Sequence, residues 1–79
     1  MTNMKERDLT DVLRDEMVMH DRILDFLRKE PGTIPEIARA LDRPGWEVTI
    51  WVMAMMRYGL LSEMLKGRAD DYYRYTPAE

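Results

Sequence analysis

The sequence predicts an α+β fold that is mostly α, with helices first and a two-stranded β-hairpin at the end. Residues 8–29 contain neither glycine nor proline and repeat apolar side chains at helical spacing. Two further helical stretches follow, separated by turn residues, and short strand-like segments close the chain. A length of 79 residues allows one domain with a modest core.

The first helix is predicted to run from about Asp8 to Lys29. Its apolar residues form a seam that is heptad-like from Leu13 onward, and this seam consists of Leu9, Leu13, Met17, His20, Leu24 and Leu27, flanked by Val12, Met19 and Ile23. The second half of this stripe (Ile23, Leu24 and Leu27) is expected to pack beneath the elements that follow. We therefore divide the chain into a helical extension, residues 1–20, and a main domain, residues 21–79.

The first half of the seam has no evident partner in so small a domain. We predict that Leu9, Val12, Leu13 and Met17 meet another helix, from a second copy or from a different protein. The alternative is that the helix breaks or folds back near residues 19–21 and covers its own core. His20 is interpreted as a partly buried side chain, with a pH-sensitive role at an interface as the alternative.

The central part of the chain predicts a helix-turn-helix. Thr33 and Glu36 have the spacing of a capping box at the start of a short helix, and Pro35 occupies a position where its missing N–H is not needed. A turn over residues 42–45 ends this helix. The second helix is predicted from about Pro44 to Tyr58, with Gly59 as its left-handed cap.

The C-terminal part predicts a strand, a turn and a second strand. The first strand begins at Leu60 and reaches residue 65, the turn contains Gly67, and the second strand covers residues 72–76. Leu61, Tyr73 and Tyr75 are expected to face the core, and Glu63 and Arg74 to face water.

Two segments carry a resemblance to a known family. Residues 57–61 (Arg-Tyr-Gly-Leu-Leu) and 72–77 (Tyr-Tyr-Arg-Tyr-Thr-Pro) resemble the exit from the recognition helix and the closing strand of winged helix-turn-helix regulators of the ArsR and MarR kind. The resemblance covers residues 21–77. It implies a winged helix, duplex DNA as partner, transcription regulation, a dimer formed through the N-terminal helix, and a wing tip where Lys66 and Arg68 touch the phosphate backbone. The alternative is a solvated hairpin tip, because Asp70 and Asp71 next to it cancel that charge.

The second motif helix departs from that family pattern. Its core side is predicted to carry Val48, Val52 and Met55, flanked by Trp51 and Met56, and its outward side to carry Trp46, Ile50, Met53 and Arg57. Base edges are read by hydrogen bonds, which the apolar members of that side cannot make, and Glu47 beside them would be repelled by phosphate. An exposed stripe of this kind is typical of protein interfaces. The alternative is that Trp46 closes the turn and the N-terminal helix covers Met53.

Two functions therefore remain open. The resemblance places a DNA-binding transcription regulator first, with Trp46 and Ile50 touching thymine methyl groups and the phosphates held by Arg39, Arg43, Thr49, Arg57, Lys66 and Arg68. The residue types favour a protein-interaction module anchored by Trp46, Ile50 and Met53. The formal net charge of −3 argues against DNA, because affinity for DNA comes largely from Lys and Arg.

Composition limits the other function classes. The chain has no cysteine, no secretory signal and no apolar run that approaches the length of a membrane span, so we expect a cytoplasmic protein without a membrane partner. Ser62 and His20 are far apart in the chain, and no phosphate-binding glycine loop is present. We expect no enzymatic activity, no metal and no cofactor.

Overall fold

The computed structural model describes residues 8–64 and 72–78. Its elements follow in the order α1 (Leu9–Arg14), α2 (Glu16–Lys29), β1 (Gly32–Thr33), α3 (Ile34–Leu41), α4 (Gly45–Arg57), β2 (Leu61–Met64) and β3 (Arg74–Pro77). This is a mostly helical α+β fold, a winged helix in which α3 and α4 form the helix-turn-helix. Within the described part of the chain, none of the helices is both long enough and apolar enough to span a bilayer.

The N-terminal helix is interrupted at Asp15, so the prediction of one continuous helix is wrong. Asp15, with φ −82° and ψ −1°, separates α1 from α2. No glycine or proline marks this place, because the cause is tertiary: Val12 is completely buried, and its carbonyl oxygen accepts a 2.8 Å hydrogen bond from Nε1 of Trp51 in α4. The break also differs from the alternative near residues 19–21, and the expected domain boundary at residue 20 falls inside the continuous helix α2.

Local signals set both ends of α3. The predicted capping box is confirmed: the Thr33 N–H donates to Glu36 Oε1 at 2.9 Å, and the Glu36 N–H donates to Thr33 Oγ1 at 3.3 Å. The bond from the Thr33 N–H is the main reason that the pKa of Glu36 lies below its ordinary value of 4.5, and the nearby Arg74 guanidinium adds to this effect. The helix ends at Asp42, whose φ of 55° is left-handed.

The end of α4 confirms the predicted glycine cap. Gly59 has φ 77°, a conformation that favours glycine. Its N–H donates to the Met56 carbonyl at 3.1 Å, and the Leu60 N–H donates to the Met55 carbonyl at 2.8 Å. This pair of bonds is a Schellman motif, which turns the chain directly from α4 into β2.

Within the described residues, the sheet consists of the predicted two-stranded hairpin, β2 and β3, and an additional short strand, β1, in the antiparallel order β1-β3-β2. In the β2–β3 pair, Leu61 lies opposite Pro77 and Met64 opposite Arg74. The prediction missed β1 because two residues cannot show the alternation of a strand. Leu61 and Tyr75 are buried as predicted, whereas Tyr73 is exposed, because it precedes β3 and lies outside the paired region.

One core connects all the helices to the sheet. Ile23 and Leu27 are buried as predicted, and Leu24 packs against the edge of this core. The buried cluster consists of Val12, Met19, Ile23, Leu27, Ile37, Val48, Trp51, Val52, Met55, Leu61 and Tyr75. Because Val12 belongs to it, α1 packs against the same core as the other helices.

Candidate docking interface on helix α4

Helix α4 has the predicted core side. Four of its apolar side chains are completely buried, and these are Val48, Trp51, Val52 and Met55. Their burial fixes the rotation of the helix about its axis. Residues about half a turn away must therefore point outward.

The outward side of α4 is apolar and accessible. We call it the α4 face and define it as Trp46, Thr49, Ile50, Met53 and Arg57. Trp46 exposes 41% of its surface and Met53 exposes 37%, while Ile50 is partly buried. Met53 is thus not covered by the N-terminal helix, and part of Trp46 reaches solvent. Contiguous exposed apolar side chains of this size are typical of interaction surfaces.

The α4 face offers little for reading a base sequence. Thr49 carries the one hydroxyl group of the α4 face, and its Oγ1 donates a 2.8 Å hydrogen bond to the backbone carbonyl of Gly45. Trp46 has a single indole N–H, and Ile50 and Met53 have no conventional donor. Arg57 in the last helical turn is the remaining polar side chain.

Glu47 does not belong to this face, so its predicted place among the outward residues is wrong. Only 1% of its surface is exposed. The reason is helical spacing, since Glu47 precedes Trp51 by four residues and Ala54 by seven, and both of those are buried. This spacing was visible in the sequence, but the charge of the side chain suggested a solvent position. The burial removes the one acidic residue of α4 from the outward side.

Those predicted basic residues that the structure describes do not form one cluster. Arg57 is exposed on the α4 face, and Arg43 is half-buried in the turn that leads into α4. Arg39 instead lines a different cavity of about 440 Å³, together with Glu36 and Arg74. Lys66 and Arg68, the predicted wing-tip contacts, lie outside the described residues.

A groove adjoins the α4 face. It has a volume of about 490 Å³ and is lined by Ile34, Pro35, Ala38, Gly45, Thr49 and Tyr72. Thr49 belongs to both, so the groove and the face form one continuous surface. The groove is open at Gly45, because a Cβ atom there would have no neighbour within 4 Å. Sequence reasoning missed this groove, because only the tertiary fold brings Tyr72 beside α3.

A second apolar surface lies on the N-terminal helices. We call it the N-terminal stripe and define it as Leu9, Leu13 and Met17, all of which are exposed, Met17 to 74%. Val12 was predicted to belong to the same interface, and this prediction is wrong. Val12 is buried in the core of its own chain, where its carbonyl oxygen accepts a hydrogen bond from Trp51.

The two surfaces lie on opposite sides of α4. Trp51, which contacts α1, and Met53, on the α4 face, are two residues apart and therefore about 200° apart around the helix. The stripe is thus held on the inner side of α4 while the α4 face looks away from it.

His20 is buried, whereas the sequence interpretation expected a satisfied, partly buried side chain, and within the described residues its Nε2 atom has no hydrogen-bond partner. Its Nε2 atom lies 3.9 Å from a carboxylate oxygen of Glu16, and its ring centroid lies 6.3 Å from that of Tyr58. Within residues 8–64 and 72–78, no three His, Asp or Glu side chains are grouped so as to hold a metal ion.

Comparison with solved structures shows the fold. The chain is similar to the crystal structure of the apo-Zalpha domain of zebrafish PKZ, with a TM-score of 0.73 and 17% sequence identity. The match covers 81% of this chain and 97% of that chain. No protein-family model and no curated protein matches the sequence. The winged-helix fold is therefore established, while the narrower likeness to ArsR and MarR regulators stays a prediction.

Proposed function

We propose that this chain is a protein-binding winged helix, without catalytic activity, whose α4 face docks on a partner segment. The observation that carries the proposal is the composition of that face in its folded position. It presents Trp46, Ile50 and Met53, and its hydroxyl donates to its own backbone. Reading bases requires outward donors and acceptors, whereas Trp and Met are enriched in the cores of protein interfaces.

The surroundings of the face define the chemistry of the partner. Arg43 and Arg57 lie at the two ends of α4, and the carboxylate of Glu47 is buried. Carboxylates on the partner would therefore meet arginines, and the groove beside Thr49 accepts one apolar side chain. The best fit is an amphipathic helix whose apolar stripe is flanked by Asp or Glu.

Photo-crosslinking in the cells that make the protein tests this proposal. A benzophenone amino acid would replace Trp46, and a control variant would carry it at Val18, an exposed position on neither surface. We expect the Trp46 position to capture a protein segment with an acidic amphipathic pattern, and Met53→Asp in the same chain to abolish capture. Cross-links from Trp46 to nucleic acid alone would overturn the proposal.

A DNA-binding transcription regulator is the second candidate, and one observation favours it. The burial of Glu47 removes the charge that phosphate would repel, leaving Arg43 and Arg57 beside the helix that winged-helix regulators insert into DNA. Trp46 and Ile50 would then make apolar contacts to thymine methyl groups.

Binding to a short random-sequence duplex between about 20 and 200 mM salt tests this candidate. A steep fall in affinity with salt that Arg57→Gln makes shallower would place DNA ahead of protein. Absence of binding at the lowest salt would remove the electrostatic basis for the regulator.

A further inference from the structure

The chain itself carries a surface of the kind that the α4 face requires of its partner. The N-terminal stripe is apolar and exposed. Residues 8–18 around it contain four acidic residues (Asp8, Asp11, Asp15 and Glu16) and one basic residue, which leaves a net charge of −3. That one basic residue, Arg14, pairs with Asp11 at 3.3 Å.

Both surfaces are elongated along helices. Leu9 and Leu13 are four residues apart in α1, about 6 Å along its axis, and Met17 lies beyond the break at Asp15, in α2. The α4 face from Trp46 to Met53 is about 11 Å long. Asp8 precedes Leu9 at one end of the stripe, and Asp11 and Glu16 lie beside it. Arg43 precedes α4 and Arg57 ends it, so a stripe laid along this helix brings acidic and basic side chains together.

We propose that the α4 face of one copy binds the N-terminal stripe of a second copy; this assignment rests on the protein-binding function proposed above. The second copy is required because Trp51 holds α1 against the side of α4 that is turned away from Met53. A chain therefore cannot place its own stripe on its own α4 face.

The contact joins two different surfaces, so it is heterologous. A bound pair still has one free stripe and one free α4 face, so copies add head to tail into open chains or closed rings. This differs from the symmetric dimer expected from the sequence, in which one stripe meets another. Because few apolar side chains take part and opposite charges flank them, association should be weak and should weaken further with salt.

The proposal is tested by mixing two variants, each of which lacks one of the two surfaces, and measuring their mass by analytical ultracentrifugation. Met53→Asp removes the docking face and leaves the stripe, while Met17→Asp removes the stripe and leaves the face. Wild-type protein should exceed the monomer mass of 9.4 kDa increasingly as its concentration rises. Each variant alone should remain at 9.4 kDa, and their equimolar mixture should reach twice that mass and grow no further.

Two further variants serve as controls. Val18→Asp places the same charge on an exposed apolar residue of α2 outside both surfaces and should assemble like wild type. Arg57→Glu leaves every apolar residue in place and should weaken assembly about tenfold, because charge complementarity is lost. Misfolding of Met53→Asp is excluded when that variant still forms the dimer with Met17→Asp.

Each contrary result has a definite meaning. A dimer formed by Met53→Asp alone would show stripe-to-stripe pairing and overturn the heterologous contact. Wild-type protein that stays at 9.4 kDa at every concentration would overturn the second copy as partner. The protein-binding function would survive that result if the Trp46 cross-link still captured an acidic amphipathic segment of another protein.

Discussion

The hydrogen bond between Trp51 and Val12 is the contact whose loss has the most defined consequence. Trp51 Nε1 donates to the Val12 carbonyl at 2.8 Å, and both side chains are completely buried. The acceptor is one of the last carbonyls of α1, and the last carbonyls of a helix have no N–H partner within the helix. Trp51→Phe removes the donor and keeps most of the aromatic volume.

The expected loss of stability follows from the buried Val12 carbonyl that Trp51→Phe leaves without a partner. A hydrogen bond contributes about 0.5–1.5 kcal/mol net, and a buried carbonyl left without a partner costs about 1–3 kcal/mol. We expect Trp51→Phe to lower the free energy of unfolding by roughly 2–3 kcal/mol, and in a domain of this size each 1 kcal/mol lowers Tm by about 4–8 °C.

Urea denaturation followed by far-UV circular dichroism measures this loss without relying on tryptophan fluorescence. Trp46→Phe is the matched control, because Trp46 is exposed and its substitution should change stability by no more than about 0.5 kcal/mol. Amide exchange should accelerate first in α1, the helix that the bond secures. A Trp51→Phe protein as stable as wild type would refute the role of this bond.

Three further predictions concern the core, a titrating group and two glycines. Ile23→Ala empties a completely buried position and should cost about 2–5 kcal/mol in a urea melt; a loss under 1 kcal/mol would contradict the core assignment. The pKa of Glu36 is lowered mainly by the Thr33 N–H, so its stabilisation is present above the ordinary value of 4.5 and is lost as pH falls below it. The stability difference between wild type and Glu36→Gln should therefore shrink from pH 6 to pH 3, and a constant difference would contradict the assigned cause. Gly59→Ala should cost about 1 kcal/mol because φ is 77°, whereas Gly45→Ala meets open space and should not destabilise; equal thermal shifts would contradict the strain argument.

Those elements whose signals are local could be predicted from the sequence. The capping box at Thr33, the turn before α4 and the cap at Gly59 each depend on residues within a few positions of one another, and all three are present. The rotation of α4 was also predictable, because one completely buried side fixes where Trp46 and Met53 point.

The features that the sequence could not show depend on contacts distant in the chain. The break at Asp15 has no local breaker, and the bond that accompanies it joins residues 39 positions apart. The burial of Val12 follows from the same contact, which is why it was misassigned to a dimer surface. The groove beside Thr49 needs Tyr72, which only the arrangement of β3 and α3 brings near α4.

Helix α4 links the core to both proposed binding surfaces. Its inner side holds α1 through Trp51, and its outer side carries Trp46 and Met53, so the distance between the stripe and the α4 face of one copy is set by a buried bond. Trp51→Phe alters no surface residue, yet it releases the helix on which Leu9 and Leu13 are displayed. It should therefore weaken the proposed head-to-tail assembly only when it is present in the copy that supplies the stripe. A chain that carries both Trp51→Phe and Met53→Asp should bind a Met17→Asp chain more weakly than Met53→Asp alone does. A chain that carries both Trp51→Phe and Met17→Asp should bind a Met53→Asp chain as well as Met17→Asp alone does.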